Sequence, residues 1–131
     1  MRQIDKIKWQ SRSSPLEVAL SIPGPYRDTV SYARLQYYIN NCCNRLAKLG
    51  VKPNQIYSLL IDDVLLHIVI MLALEELGAS SVSLESPQLP EELAVAALLV
   101  DHAVPEEPCP VLHADLSWVD GDGIYSAANH E

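Results

Sequence analysis

Residues 56–84 read Ile-Tyr-Ser-Leu-Leu-Ile (56–61), Asp62-Asp63, Val-Leu-Leu-His-Ile-Val-Ile-Met-Leu-Ala-Leu-Glu-Glu-Leu (64–77), Gly78, then Ala-Ser-Ser-Val-Ser-Leu (79–84). The first run is short, nearly continuous and apolar, the pattern of a strand buried on both faces. Asp62-Asp63 supplies a side-chain acceptor for the free amides that open a helix. Val64 to Leu77 is apolar on almost every face, which predicts a largely buried helix, and Gly78 can close it in the left-handed conformation. Ala79 to Leu84 then predicts a second short strand. Strand, buried helix and strand within 29 residues is the spacing of a right-handed crossover between parallel strands. The fold class is therefore α/β.

Upstream of this unit, Ser31 is placed to cap a helix. Tyr32, Leu35, Ile39, Cys42, Cys43, Leu46 and Leu49 recur at three- and four-residue spacing behind it, one apolar stripe on one helix. Lys48 suits the negative end of that helix. Gly50 ends it in a left-handed conformation, and Pro53 lies just beyond. Before Ser31 the pattern weakens. Residues 1–15 are polar and read as an arm, Leu16–Leu20 as a small helix, and Pro23-Gly24-Pro25 as punctuation before Thr29-Val30.

Downstream, Ser86-Pro87-Gln88-Leu89-Pro90 reads as a loop. Pro90 suits a first helical turn and Glu91 and Glu92 its positive end, so Leu93 to Val100 is expected to continue as a helix to about His102. Pro105, Pro108 and Pro110 argue against a central strand. Val111-Leu112 is a candidate short third strand. Residues from Gly121 onward read as a tail. The expected division is an N-terminal arm and lead-in over 1–28, an α/β core over 29–112 and a C-terminal tail over 113–131.

The chain has 131 residues, 49% hydrophobic and 20% charged, with no Phe. That is one domain with a core built from aliphatic side chains. All nine Lys and Arg lie in residues 1–52 with only Asp5, Glu17 and Asp28 as acids, a net of +6. Residues 53–131 hold fourteen acids and no Lys or Arg, a net of −14. This balance disfavours nucleic acid as a partner, because phosphate affinity comes from clustered cations. Any phosphate site after Lys52 has only backbone N–H groups and His to work with. The N-terminus has no apolar segment of signal-peptide length. The apolar stretch Val64–Leu74 is eleven residues, too short for a membrane span. Three cysteines, two of them adjacent at Cys42-Cys43 and one at Cys109, do not read as a disulfide framework, so a reducing, cytoplasmic location is expected.

No group of residues reaches the pattern of a catalytic, cofactor-binding or metal site. Asp62-Asp63 reads as a helix cap, since adjacent carboxylates seldom hold a hard cation without further ligands. Asp120-Gly121-Asp122-Gly123 fails as a calcium loop, because the alignment puts Trp118 and Asn129 at ligand positions. His67, His102, His113 and His130 have no zinc spacing. His67 reads as a core or interface histidine, and nothing marks Cys42, Cys43 or Cys109 as activated. There is no Gly-rich phosphate loop, and the strand-to-helix junction at Ile61-Asp62-Asp63 is acidic where a phosphate cradle needs open N–H groups.

The order of pieces over residues 29–103 carries a resemblance. Thr29-Val30-Ser31-Tyr32 leads into the long helix; Asn44-Arg45-Leu46-Ala47 and Leu49-Gly50-Val51-Lys52-Pro53 follow. The apolar strand, the helix ending Leu77-Gly78-Ala79, and Val82-Ser83-Leu84 complete the succession. It resembles the N-terminal subdomain of the adenylate-forming superfamily, which includes acyl-CoA synthetases and nonribosomal peptide synthetase adenylation domains. The resemblance implies a small parallel, Rossmann-like sheet flanked by helices, the first lobe of such an enzyme. The family has Pro where Ser83 stands. Its Ser/Thr/Gly-rich phosphate loop with lysine, adenine motif, ribose-binding Asp and catalytic Lys have no counterparts here, so no active-site residue carries over.

The resemblance implies a non-catalytic, N-terminal piece of an ATP-dependent acyl-adenylate-forming ligase, with ATP and Mg expected only for a full-length parent. The partner is then the remainder of that enzyme. A free-standing interaction module derived from the lobe is the alternative, and an unrelated small α/β enzyme using its cysteines or histidines the third. An open reading frame running past Glu131 is the expected mark of a piece. The surplus apolar surface of helix 64–77 leads to an expectation of homo-oligomers when the chain is alone.

Overall fold

A parallel sheet laid against one buried helix forms the centre of the molecule. The computed structural model describes residues 2–22, 28–85, 94–104 and 109–120. In chain order the elements are α1 (Gln3–Ser13), β1 (Val18–Ile22), β2 (Asp28–Ser31), α2 (Tyr32–Lys48), β3 (Ile56–Leu60), α3 (Val64–Glu76), β4 (Ser80–Ser83), β5 (Val95–Val100), β6 (Val111–His113) and α4 (Ser117–Asp120). Strands β4-β3-β5-β6 form one sheet in that order, and every pairing is parallel. Strands β1 and β2 form a separate antiparallel hairpin.

The deciding stretch folds as its pattern predicts. Tyr57 to Leu60 are all buried, as a strand between two neighbours requires. The Asp63 carboxylate accepts from the Leu66 N–H at 2.9 Å and caps α3. Gly78 follows the Leu77 C-cap with φ +80°. Ser31 caps α2 by accepting from the Arg34 N–H at 3.2 Å, and Gly50 follows α2 with φ +91°.

The helical side of the sheet holds the main core. Leu59 and Leu99 from the strands meet Val69, Ile70 and Ala73 of α3 and Leu35, Ile39 and Leu46 of α2. A smaller cluster on Leu60, Leu98 and Val100 gathers Leu84, Val104, Cys109 and Val111. The apolar surface of α3 is mostly absorbed within the chain: among its large hydrophobic residues only Val64, at 52%, is counted as exposed.

Three expectations change. Residues 95–100 form strand β5, not a helix. A continuous apolar run reads alike for a buried helix and a buried parallel strand, and here the open edge of β3 takes it as a strand. Residues 18–22 form strand β1, not a small helix over 16–20, because the β-branched Val18 and Ile22 pair with β2. The N-terminal arm is helix α1, docked by buried Ile4 and by polar ties to α3. The Ile4 N–H donates to Glu75 Oε1 at 2.9 Å, Arg2 Nη1 donates to the Glu75 carbonyl at 3.0 Å, and Lys8 pairs with Glu76. Val111–His113 is a strand as expected, and is the fourth of its sheet. The loop 86–90, the acids Glu91 and Glu92, and the tail from Gly121 lie outside the described residues.

Candidate functional site

In an open parallel sheet the natural ligand crevice lies beyond the carboxyl ends of the strands where the connections diverge. Here the chain leaves β3 through α3 to β4 on one side, while β5 lies on the other. The divergence is therefore between β3 and β5. Leu60 is in register with Val100, so the residues just past these strands, Asp62 and Asp101, are brought together.

Asp101 fills that crevice with its own carboxylate. Oδ1 accepts from the Asp62 N–H at 3.0 Å, and Oδ2 accepts from Asp62 N–H at 3.1 Å and Asp63 N–H at 2.9 Å. These amides precede α3, the position where a phosphate would be held in a nucleotide-binding crossover. The Asp63 carboxylate in turn accepts from the Leu66 N–H, three residues on. The His102 Nδ1–H donates to Asp101 Oδ1 at 2.8 Å and lies 3.4 Å from Asp62 Oδ2. Burial acts to raise the Asp101 pKa, but the amides of Asp62 and Asp63 and the His102 imidazole outweigh it and hold the carboxyl below its ordinary range. The hydrogen bond to Asp101 raises His102 in turn, with the charges of Asp62 and Asp101 adding to it.

Asp62, Asp101 and His102 offer three ligand atoms within 4.8 Å of one another. Sequence spacing did not reveal the group, because Asp62 and Asp101 are 39 residues apart and meet only through β5. Both Asp101 oxygens are already engaged by amides, so the arrangement acts first as a cap that ties β5 to α3.

His67 is half-buried on α3. Its Nδ1 lies 3.3 Å from the Ile61 carbonyl and its Nε2 2.8 Å from the Ser83 hydroxyl. A carbonyl only accepts, so Nδ1 carries the proton and Nε2 accepts from Ser83. This resembles the connectivity of a nucleophile and its base. The donor that would stabilise an oxyanion is engaged elsewhere, however: the N–H of Leu84, next after Ser83, donates to the Leu59 carbonyl at 2.8 Å. The pair fastens the start of α3 to the end of β4.

The cysteines are free thiols. Burial pushes Cys42 up to about 12 and Cys43 up to about 11, and it raises Cys109 as well. None has the lowered pKa of an activated thiol. Cys42 Sγ sits 3.5 Å from the Trp118 carbonyl and Cys43 Sγ 3.6 Å from that of Ala73, both as donors. Among the described residues no helix is long and apolar enough to cross a membrane.

No family model matches the sequence, and no curated protein matches it. Solved structures do match by fold. The N-terminal subdomain of Klebsiella oxytoca NpsA, in complex with 3-hydroxybenzoyl-AMSN, superposes with a TM-score of 0.74 at 21% identity, over 90% of this chain and 31% of that one. NpsA in complex with 3-hydroxyanthranilyl-AMSN gives a TM-score of 0.76 at 21% identity, over 89% of this chain and 25% of that one. A fatty acyl-adenylate ligase from L. pneumophila, in complex with acyl adenylate and pyrophosphate, gives 0.70 at 18% identity, over 89% of this chain and 24% of that one. The chain spans a third or less of each of these structures, and its fold is that of the N-terminal subdomain of adenylate-forming enzymes.

Proposed function

We propose that this chain is the N-terminal, non-catalytic piece of an ATP-dependent carboxylate-activating ligase of the acyl-CoA synthetase type. In the parent, the missing part supplies the phosphate loop, the adenine and ribose contacts and the catalytic lysine, and this piece supplies scaffold. The observation that carries the reading is the asymmetry of the fold match: 90% of this chain against 31% of the NpsA subdomain. The filled crevice supports it, because the Asp62 and Asp63 amides ahead of α3, which would receive a phosphate, are taken by Asp101. The cytoplasm is the compartment proposed, since three free thiols suit a reducing environment.

The test is to read the gene past codon 131 and to assay the chain for carboxylate-dependent pyrophosphate exchange. The expected result is an in-frame continuation carrying a Ser/Thr/Gly-rich loop with lysine, and no exchange by the 131-residue chain. Exchange by this chain alone overturns the non-catalytic role. A stop codon directly after Glu131 turns the reading to a free-standing interaction module. The observation favouring that second reading is the degree to which the chain covers its own core, α3 included.

A further inference from the structure

Two carboxylates from separate stretches of the chain face one imidazole nitrogen. His102 Nδ1 lies 2.8 Å from Asp101 Oδ1 and 3.4 Å from Asp62 Oδ2. A single proton on Nδ1 makes one good hydrogen bond, and Asp101 accepts it. Among the described residues the Asp62 carboxylate makes no hydrogen bond, and its side chain is 82% exposed.

The charge around the group is unbalanced as well. Asp62, Asp63 and Asp101 gather there, and no Lys or Arg follows Lys52. The Lys and Arg ion pairs among the described residues, Arg2–Asp5 and Lys8–Glu76, are made elsewhere. His102 is the one side chain that pairs with these acids among the described residues. Three acids share at most one positive charge, and only the amides of Asp62 and Asp63 ease the burden on Asp101.

A divalent cation answers both conditions. Asp62, Asp101 and His102 each offer one atom, all within 4.8 Å of one another. Ligands at about 2.0–2.1 Å from a tetrahedral ion stand about 3.3 Å apart, and the 2.8 and 3.4 Å spacings lie on either side of that value. Asp101 can serve without giving up its amides. The Oδ1 lone pair that accepts from His102 turns to the ion, while the Asp62 and Asp63 N–H groups stay bound. An imidazole in the set turns the preference from calcium and magnesium, which take oxygen ligands, toward zinc and its neighbours.

We propose that Asp62, Asp101 and His102 bind a divalent transition-metal ion of the zinc class, with water in the fourth position. The imidazole gives Nδ1 to the ion and keeps its proton on Nε2. The ion clamps the residues after β5 to those before α3 and leaves one coordination position for an oxygen ligand. The site is independent of the ligase reading, since it needs neither nucleotide nor any residue outside this chain.

The test is titration of the full chain with zinc chloride in a non-chelating buffer without nucleotide, read by calorimetry and amide NMR. One ion is expected to bind with a Kd below about 100 μM and to move the amides of Asp62, Asp63 and His102. Zinc is also expected to raise the unfolding temperature. Asp62→Asn and His102→Gln should each weaken binding at least about tenfold, since loss of even an outer-shell partner costs that much. The exposed Asp62 carboxylate supports no hydrogen bond, so Asp62→Asn carries the test alone if the His102 variant does not fold. Cys109→Ser is expected to bind as the parent chain does. Absence of saturable zinc uptake overturns the proposal. Unchanged affinity in either folded ligand variant means an adventitious ion only and overturns it too. Loss of binding in Cys109→Ser makes it a thiol site, and magnesium binding as tightly as zinc makes it a hard-cation cluster; both outcomes overturn it.

Discussion

Asp101 does for α3 what a bound anion does at many helix starts, and its charge makes the effect depend on pH. Its folded pKa is depressed, so the stability it contributes is present above the unfolded carboxylate value of about 3.9 and is lost as pH falls through the lower folded value. His102 is raised, so its contribution is present below the unfolded value of about 6.5 and is lost as pH rises through the higher folded value. Asp101→Asn is therefore expected to lower stability most between about pH 4 and 6.5. Chemical denaturation of both proteins from pH 3 to 8 measures this, and a pH-independent difference refutes it. The thiols give a second expectation at this scale. Burial raises all three thiols, most strongly Cys42 and Cys43, so a native thiol titration near neutral pH should count one readily reactive group, Cys109, and three after unfolding. Rapid native labelling of Cys42 or Cys43 contradicts that.

Helix ends give the clearest link from residue type to element. Gly50 and Gly78 both follow helices with positive φ, where any side chain is strained by about 1–2 kcal/mol. A Cβ at Gly50 meets nothing within 4 Å, whereas one at Gly78 lies 3.2 Å from Pro53 Cβ. Gly78→Ala should therefore cost more than Gly50→Ala, each at least about 1 kcal/mol, as urea midpoints will show; an inverted order means Pro53 yields freely. Both glycines and both caps were legible in the sequence, because each rests on contacts within a few residues, and the β3–α3–β4 unit was legible from the order and length of its apolar runs. What escaped reading depends on distant partners. Val95–Val100 is a strand only because β3 offers it an edge. Ile4 and Ile7 make residues 3–13 a helix only by lying on the core. The Asp101 cap was invisible for the same reason, since its amides belong to a loop 38 or 39 residues earlier. Asn54, in the left-handed conformation at φ +65°, was also missed, although Asn is among the residues that tolerate it.

At the scale of the whole molecule, Asp101 occupies the amides at the β3–β5 crevice, and residues 53–131 carry a net −14 with no Lys or Arg to pair with polyphosphate. Titration calorimetry of the chain with millimolar ATP and Mg should show no saturable binding below about 100 μM, weaker than roughly −5 kcal/mol; tighter binding contradicts the reading of both the crevice and the function. Self-association of the isolated chain is expected from the surplus apolar surface of residues 64–77, most of which is covered from within, with charge pairing as the assisting component. Pairing of the +6 part of one copy with the −14 part of another should appear in light scattering at low salt and fade at high salt; a monomer at both salts removes it. The sheet order also sets a schedule. Strand β3 is central, yet its two neighbours are separated in the chain: β4 ends at Ser83 and β5 begins only at Val95. While the chain emerges from the ribosome, the crossover to β4 closes early, and the other side of β3 waits as an unpaired apolar edge until residues 95–100 arrive. That interval is when a nascent chain is most exposed to pairing with its neighbours. The half-made sheet, more than the finished one, is where this chain is open to mispairing.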